Sequence, residues 1–73
     1  MPKLPAVSGR DVVNALSQIG FEFKRQVGSH MILKRQLDGK RLAIPNHREI
    51  PKGTLRAIIR QAGLTVDEFV ALL

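Results

Sequence analysis

Apolar positions recur along the chain at two different spacings, and the spacing predicts which segments are helices and which are strands. In the first segment they recur at helical intervals of three or four residues, at Val12, Val13, Leu16 and Ile19. Ser8 lies three residues before Asp11, which is the spacing of a helix capping box, and Gly20 is a common type of helix terminator. These features predict a first helix over about residues 9–18.

From residue 21 onward, apolar and polar positions alternate, as expected for strands with one buried face. The first such segment alternates the apolar residues Phe21, Phe23 and Val27 with the polar residues Glu22, Lys24 and Gln26. Gly28 and Ser29 interrupt the pattern before a second predicted strand over residues 30–35. Asp38 and Gly39 predict a hairpin turn before a third strand over residues 40–44.

The second predicted strand has two faces of different composition, because successive side chains of a strand point to opposite sides. One face carries His30, Ile32 and Lys34. The other carries Met31, Leu33 and Arg35. The alternation leaves open which of these two faces solvent contacts.

The last third of the chain returns to helical spacing. Pro51 is a residue favoured at helix starts, and a stripe of apolar positions follows it, at Leu55, Ile58, Ile59 and Ala62. Another face of the same helix is cationic, with Lys52, Arg56 and Arg60 at intervals of four residues. After Gly63, the spacing of Thr65 and Glu68 predicts a short third helix. The apolar end of the chain, residues 69–73, either closes the core or docks a partner or a second copy of the chain.

The predicted order is helix, three strands, helix and a short C-terminal helix. It indicates an α+β fold in which the helices pack on one face of a three-stranded antiparallel sheet. Double-stranded RNA-binding domains share this α-β-β-β-α order, although an order of elements does not determine a function. A chain of 73 residues predicts a single domain, residues 1–73, and the lack of cysteine means that neither disulfides nor thiolate metal sites stabilise it.

The chain is strongly basic, and its positive charge is concentrated in the middle. Twelve Lys and Arg residues against six Asp and Glu residues give a net charge of +6. Ten of the twelve lie between residues 24 and 60, where the acidic residues are Asp38 and Glu49. This balance favours a nucleic acid partner, with a solvated basic surface as the alternative. Because no apolar run is long enough for a signal peptide or a membrane span, we expect a cytoplasmic protein. We expect no membrane binding, because the basic residues do not border an aromatic or strongly apolar amphipathic helix.

Two histidines, His30 and His47, are the candidates for proton transfer near neutral pH. Spacing alone does not select either one, because a lone histidine at the start of a strand is commonly a hydrogen-bonded structural residue. A nucleophilic serine scheme using Ser29 is disfavoured, since neighbouring strand residues point apart. No familiar spacing of metal ligands occurs, so we expect neither a metal nor another cofactor.

A series of short motifs follows in order along most of the chain, over residues 8–69. They are Ser8-Gly9-Arg10-Asp11, Gly20-Phe21, Gly28-Ser29-His30, Asp38-Gly39, Pro45 with His47, Pro51-Lys52-Gly53-Thr54-Leu55-Arg56, and Gln61-Ala62-Gly63-Leu64. Taken together, in this order and spacing, they resemble the HicA (YcfA-like) toxin family. Their joint occurrence is far more specific than any single motif.

The resemblance implies a double-stranded RNA-binding-like fold that acts as an mRNA interferase, an endoribonuclease, and that pairs with a HicB-type antitoxin covering the active site. We hypothesise that the cleavage needs no metal. The family's catalytic histidine follows a glycine pair or Gly-Ser, which corresponds to His30. Candidate residues for binding the mRNA are Lys24, Arg25, Ser29, Lys34, Arg35, Lys52 and Arg56. His47 aligns with a histidine of the family's loop after the strands, and no role is assigned to it.

Two other classes of function compete with this hypothesis. Residues 53–73 could form a helix-turn-helix that binds DNA, but the helix that would enter the major groove offers Asp67 and Glu68 and none of the Arg, Lys, Asn or Gln side chains that bind bases there. The chain could also be a non-catalytic module that binds RNA or protein. With three Phe and no Tyr or Trp, the sequence predicts weak base preference in either RNA-binding case.

Overall fold

The computed structural model describes residues 4–73, so residues 1–3 of the predicted domain lie outside the described residues. The elements in chain order are α1 (Gly9–Ser17), β1 (Phe21–Val27), β2 (His30–Arg35), β3 (Arg41–Pro45), α2 (Lys52–Gln61) and α3 (Val66–Ala71). This is the predicted α+β order, and the predicted fold class is confirmed. The bounds of α1 and β3 differ by one residue from those predicted.

The capping box predicted for α1 is present. The hydroxyl of Ser8 accepts a hydrogen bond from the backbone N–H of Asp11 at 3.1 Å, and the Asp11 carboxylate accepts one from the Ser8 N–H at 3.0 Å. The helix has nine residues, too few to be stable alone in water. Its stability therefore depends on packing Val12 and Leu16, which are fully buried, against the sheet.

The sheet is antiparallel in the order β1-β2-β3, so β2 is the central strand. On one face, Met31 and Leu33 of β2 lie opposite Ile44 and Leu42 of β3, and all four are buried beneath the helices. The other face of β2, which begins with His30, is not covered. The packing of the helices therefore determines which face of β2 is open to solvent. The alternating sequence pattern alone did not determine this.

Strand β1 departs from the strict alternation predicted for it. The pairing of β1 with β2 shifts between Phe23 and Arg25, where β1 has one extra residue, Lys24. Beyond this β-bulge, Val27 pairs with His30 and therefore lies on the open face. The prediction that Val27 shares a face with Phe23 was wrong, because one inserted residue reverses the alternation that follows it.

The remaining core comes from α2 and α3. Leu55, Ile58 and Ile59 of α2 are buried, as the apolar stripe predicted. Phe69 of α3 is fully buried, and Leu72 packs partly against the same core, so the C-terminal segment closes the core. Among residues 4–73, no polar or charged residue is buried and no helix is long and apolar enough to cross a membrane.

Candidate active site

His30 is the first residue of β2 and lies exposed on the open face of the sheet. Its cross-strand neighbours are Val27 on β1 and Pro45 on β3. Because strands pair with β2 on both sides, the backbone at His30 is held in a fixed position. The helices pack on the opposite face, so a molecule as large as a nucleic acid strand can reach the imidazole without a rearrangement of the fold.

The two-residue turn before His30 is tied to its surroundings. Gly28 has a φ of 60°, the sign that a type II′ hairpin turn requires at this position. The Gln26 side chain donates a hydrogen bond to the Gly28 carbonyl at 3.0 Å, and the backbone N–H of Asn46 donates one to the Ser29 carbonyl at 2.7 Å. The Asn46 amide also donates to the Gln26 side chain at 3.4 Å. Contacts from both edge strands therefore limit the movement of the turn that precedes His30.

The start of α1 packs against the same end of the sheet. The N–H of Gly9 donates to the His47 carbonyl at 2.9 Å. A side chain at Gly9 would collide with the Pro45 carbonyl oxygen and approach Met31 Cε to 2.9 Å. A glycine is therefore required where α1 meets the strand beside His30. The His47 side chain is exposed, and the interaction of this residue with α1 is made by its backbone.

Beside His30, the open face has a groove of about 230 Å³, here called the cationic groove. Its lining residues are Lys24, Arg25, Ile32, Lys34 and Arg41. The β-bulge explains why two consecutive residues of β1 both line it, since a bulge sets two residues of one strand opposite one residue of its partner. Ile32 is two residues along β2 from His30, a separation of about 6.6 Å at the usual strand rise.

A family model described as "HicA toxin of bacterial toxin-antitoxin" matches residues 9–64, which is most of the 73-residue chain. The matched segment contains His30 and every residue that lines the cationic groove. The chain belongs to the HicA toxin family. The resemblance predicted from the sequence motifs is confirmed, and membership implies that this HicA toxin has a cognate antitoxin. A comparison with curated proteins finds no match.

The structure brings some of the predicted RNA-binding residues of this HicA toxin together with His30. Lys24, Arg25 and Lys34 line the cationic groove on the open face. Ser29 lies in the turn that immediately precedes His30. The three groove residues share the open face of the sheet with the imidazole, and Ser29 precedes His30 in the chain.

Arg35 does not share this surface. Its guanidinium carbon lies 4.6 Å from the centre of the Phe21 ring, and its Nε and Nη2 donate to the Asp38 carboxylate at 3.2 and 2.8 Å. The hydrogen bond from Arg35 and a second one from the Lys40 backbone lower the pKa of Asp38 to about 2. Arg35 therefore stabilises the β2–β3 turn from the other side of the strand.

Lys52 and Arg56 lie apart from His30 as well. They are exposed on the outer side of α2, together with Arg60. The inner side of α2 packs on the covered face of the sheet through its buried apolar residues. The cations of α2 and the imidazole of His30 are therefore on opposite sides of the molecule.

Arg41 lines the cationic groove, although it is not among the RNA-binding candidates predicted from the sequence. It lies directly opposite Lys34 in the pairing of β2 with β3. A signal for it was present, because Leu42 and Ile44 alternate with Arg41 and Ala43, which puts Arg41 on the face opposite the core.

Other parts of the described structure contain fewer side chains that could bind a metal or transfer a proton. Within residues 4–73, no three His, Asp or Glu side chains lie together as ligands for a metal ion. A larger concavity of about 460 Å³ lies between α1, the segment before it and the C-terminal residues. Asp11 is the one titratable side chain among its lining residues, and its carboxylate is occupied in the capping box.

Proposed function

We propose that this HicA toxin is an endoribonuclease, an mRNA interferase, and that His30 is its catalytic residue. The observation that supports this function best is the location of an exposed imidazole on a rigid central strand, beside a groove lined by four cations. An imidazole can move protons near neutral pH, and cations attract and orient a phosphate backbone. Family membership supports a toxic activity, and RNA cleavage is the activity that these side chains could supply.

In the proposed reaction, the RNA lies across the open face and His30 takes the proton of a ribose 2′-hydroxyl. The bond from O2′ to phosphorus forms while the bond from phosphorus to O5′ breaks. The departing O5′ then takes a proton from the imidazolium or from water. The products are a 2′,3′-cyclic phosphate and a 5′-hydroxyl, and the scheme uses no metal or other cofactor. DNA has no 2′-hydroxyl, so it would bind and stay intact.

The imidazole would supply only part of the rate. A positioned general acid or base contributes about 10²- to 10⁴-fold, and each donor that stabilises charge developing in the transition state contributes about 10²- to 10³-fold. We assign to the cations that share the open face, Lys24, Arg25 and Lys34, the binding and alignment of the RNA backbone, which also contributes to the rate. Ser29 is close enough in sequence to His30 to donate a hydrogen bond to the same substrate.

The proposed partners, mRNA and an antitoxin, would both bind the open face of the sheet. We propose that the substrate is mRNA in the cytoplasm and that a HicB-type antitoxin inhibits the toxin by covering the open face, because an exposed catalytic imidazole can be blocked only from the solvent side. The residues around His30 that could contact bases, Val27 and Pro45, are not aromatic. Since single-stranded bases are usually bound by aromatic stacking, we expect weak sequence preference.

A cleavage assay tests the catalytic assignment. Wild-type protein, His30→Ala and His47→Ala are each incubated with a generic single-stranded RNA, with and without a metal chelator, and with single-stranded DNA of the same sequence. We expect wild type and His47→Ala to cut RNA equally with or without chelator, His30→Ala to be at least 10²-fold slower, and DNA to stay intact.

Each other result of the cleavage assay would contradict a specific part of the proposal. Equal cutting by His30→Ala and wild type would refute the role of His30. Loss of activity in chelator would refute the metal-independent scheme. Binding of RNA without cleavage by any variant would identify a non-catalytic RNA-binding module instead.

A further inference from the structure

We propose that the cationic groove is a phosphate subsite for single-stranded RNA. The groove binds a backbone phosphate that lies one to two nucleotides away from the bond that is cut at His30. This inference rests on the proposed function and extends it, because it names the form of RNA and the part of the strand that the groove binds. It also assigns a role to Arg41.

The cationic groove and His30 lie at different positions along β2. Residues of a strand advance by about 3.3 Å, so Ile32 lies about 6.6 Å and Lys34 about 13 Å from His30 along β2. These separations match one and two nucleotides of an extended single strand. The groove is therefore too far along β2 for its centre to hold the reacting phosphate, and at the right distance to hold a neighbouring one.

The cationic groove brings like charges close together. Lys34 and Arg41 are directly opposite each other on β2 and β3, and like charges in this position destabilise a sheet. The β-bulge adds two further cations, Lys24 and Arg25, to the same groove. In the described part of the chain, one ion pair, between Glu22 and Lys24 at 3.6 Å, reduces the positive charge of the groove. An anion in the groove would relieve the repulsion that remains.

The size and shape of the groove suit one nucleic acid strand. A groove of about 230 Å³ accommodates a phosphate group and part of a ribose, but not a base pair. It lies on a single layer of sheet, with Ile32 among its lining residues and Ala43 paired with Ile32 on the same face. A cationic groove that follows one backbone is typical of proteins that bind single strands without sequence preference.

The first test measures binding and does not depend on cleavage. The probe is a short 2′-O-methyl oligouridylate, which has no free 2′-hydroxyl, and its affinity is measured over a range of salt concentrations. Each phosphate contact to a single strand contributes about 0.7 to the slope of log affinity against log salt. We expect Arg41→Ala to lower the slope by about 0.7 and Lys34→Ala with Arg41→Ala to lower it by about 1.4. Arg60→Ala, which removes the same charge from α2, should leave the slope unchanged.

The second test locates the subsite relative to the cut. The substrate is a deoxyribose strand with a single ribose, so that only one bond can be cleaved, and the neighbouring phosphates are replaced one at a time by neutral methylphosphonates. For wild type, we expect one replacement, one or two linkages from the ribose, to lower kcat/KM about tenfold. In the Lys34→Ala, Arg41→Ala variant, the same replacement should have no further effect.

The outcomes separate this inference from the proposed function. Equal salt slopes for wild type, Arg41→Ala and Arg60→Ala would overturn the groove as a phosphate subsite even if RNA is cleaved. A lowered slope in the Arg41→Ala variant, with no cleavage of any RNA by wild type, would support the groove and refute the nuclease. A methylphosphonate effect that is equal at all linkages, or equal in wild type and the double variant, would overturn the assigned position.

Discussion

The two cationic surfaces of this HicA toxin lie on opposite sides of the molecule and differ in what surrounds them. The outer side of α2 presents Lys52, Arg56 and Arg60 along an exposed helix. The open face of the sheet presents its cations around a groove, next to a histidine whose strand is paired on both sides. Both surfaces attract phosphate, but only the second places a proton-transfer group and cations on one rigid layer.

The difference teaches that net charge does not locate an active site. Charge on a flexible side chain attracts a polyanion from any direction, whereas catalysis requires groups held in a defined geometry. On the open face, that geometry comes from the paired strands, from the Gln26 and Asn46 hydrogen bonds and from the close approach of Gly9. If the open face and α2 differ in this way, substitutions on the two surfaces should have different effects.

The largest expected effect concerns two glycines near the starts of helices. Gly9→Ala should lower the free energy of unfolding by about 1–3 kcal/mol, because its Cβ would collide with the Pro45 carbonyl. Gly53→Ala on α2 should raise it by about 0.5–1 kcal/mol, since nothing lies within 4 Å and alanine favours a helix. Urea unfolding measures both. Equal effects of the two substitutions would contradict the close packing at the His30 end of the sheet.

The second prediction concerns the position of the turn before His30. Gln26→Ala removes the side-chain hydrogen bonds to the Gly28 carbonyl and to Asn46, so we expect kcat for RNA cleavage to fall about tenfold with KM unchanged. Gln61→Ala at the end of α2 is the matched control and should leave both constants as they are. A rise in KM, or a fall in affinity, without a change in kcat would show that Gln26 contacts RNA rather than positioning the turn.

The third prediction uses the carboxylate next to the cationic groove. Glu22→Gln should raise the affinity for uncleavable RNA about two- to fivefold at low salt, because it frees Lys24 from its 3.6 Å ion pair and removes a repulsive charge. Asp67→Asn changes the net charge equally on α3 and should have less effect. If the two variants bind RNA alike, overall charge and not the groove controls affinity.

The smallest effect is expected from Asp38, whose partner Arg35 belongs to neither cationic surface. Its pKa is lowered from 3.8 to about 2 in the folded protein, so its ionised form stabilises the fold above pH about 4. That contribution is lost as the pH falls from about 4 towards 2. In acid unfolding, wild type and Asp38→Asn should therefore become more alike in stability across this window, while RNA affinity at neutral pH stays unchanged. A difference in stability that grows with acid would contradict the assignment.

Local sequence was enough to predict most elements of the fold. The capping boxes at Ser8 and Thr65 use side chains only three residues from their partners, and both form as predicted. The apolar stripe of α2 and the Asp38–Gly39 turn also depend on neighbours within a few positions. Such interactions are encoded where they occur, so a pattern of residue types is sufficient to find them.

The composition of the candidate site was predicted only in part. The motif Gly28-Ser29-His30 indicated the histidine, and the charge count indicated a nucleic acid partner. Neither indicated that Arg35 would bind Asp38 and stack on Phe21, or that Arg41 would join the groove. These outcomes depend on pairing between strands, which no single segment contains.

The sequence by itself determined the order of the elements, the two alternating faces of β2 and the presence of a histidine at its start. Tertiary structure alone decided which face was covered, because α1 and α2 bury Met31 and Leu33 and so leave His30 and Lys34 to solvent. It also decided that a bulge at Lys24 turns Arg25 towards the groove. Periodicity describes a strand on its own, whereas burial and register arise only when strands and helices meet.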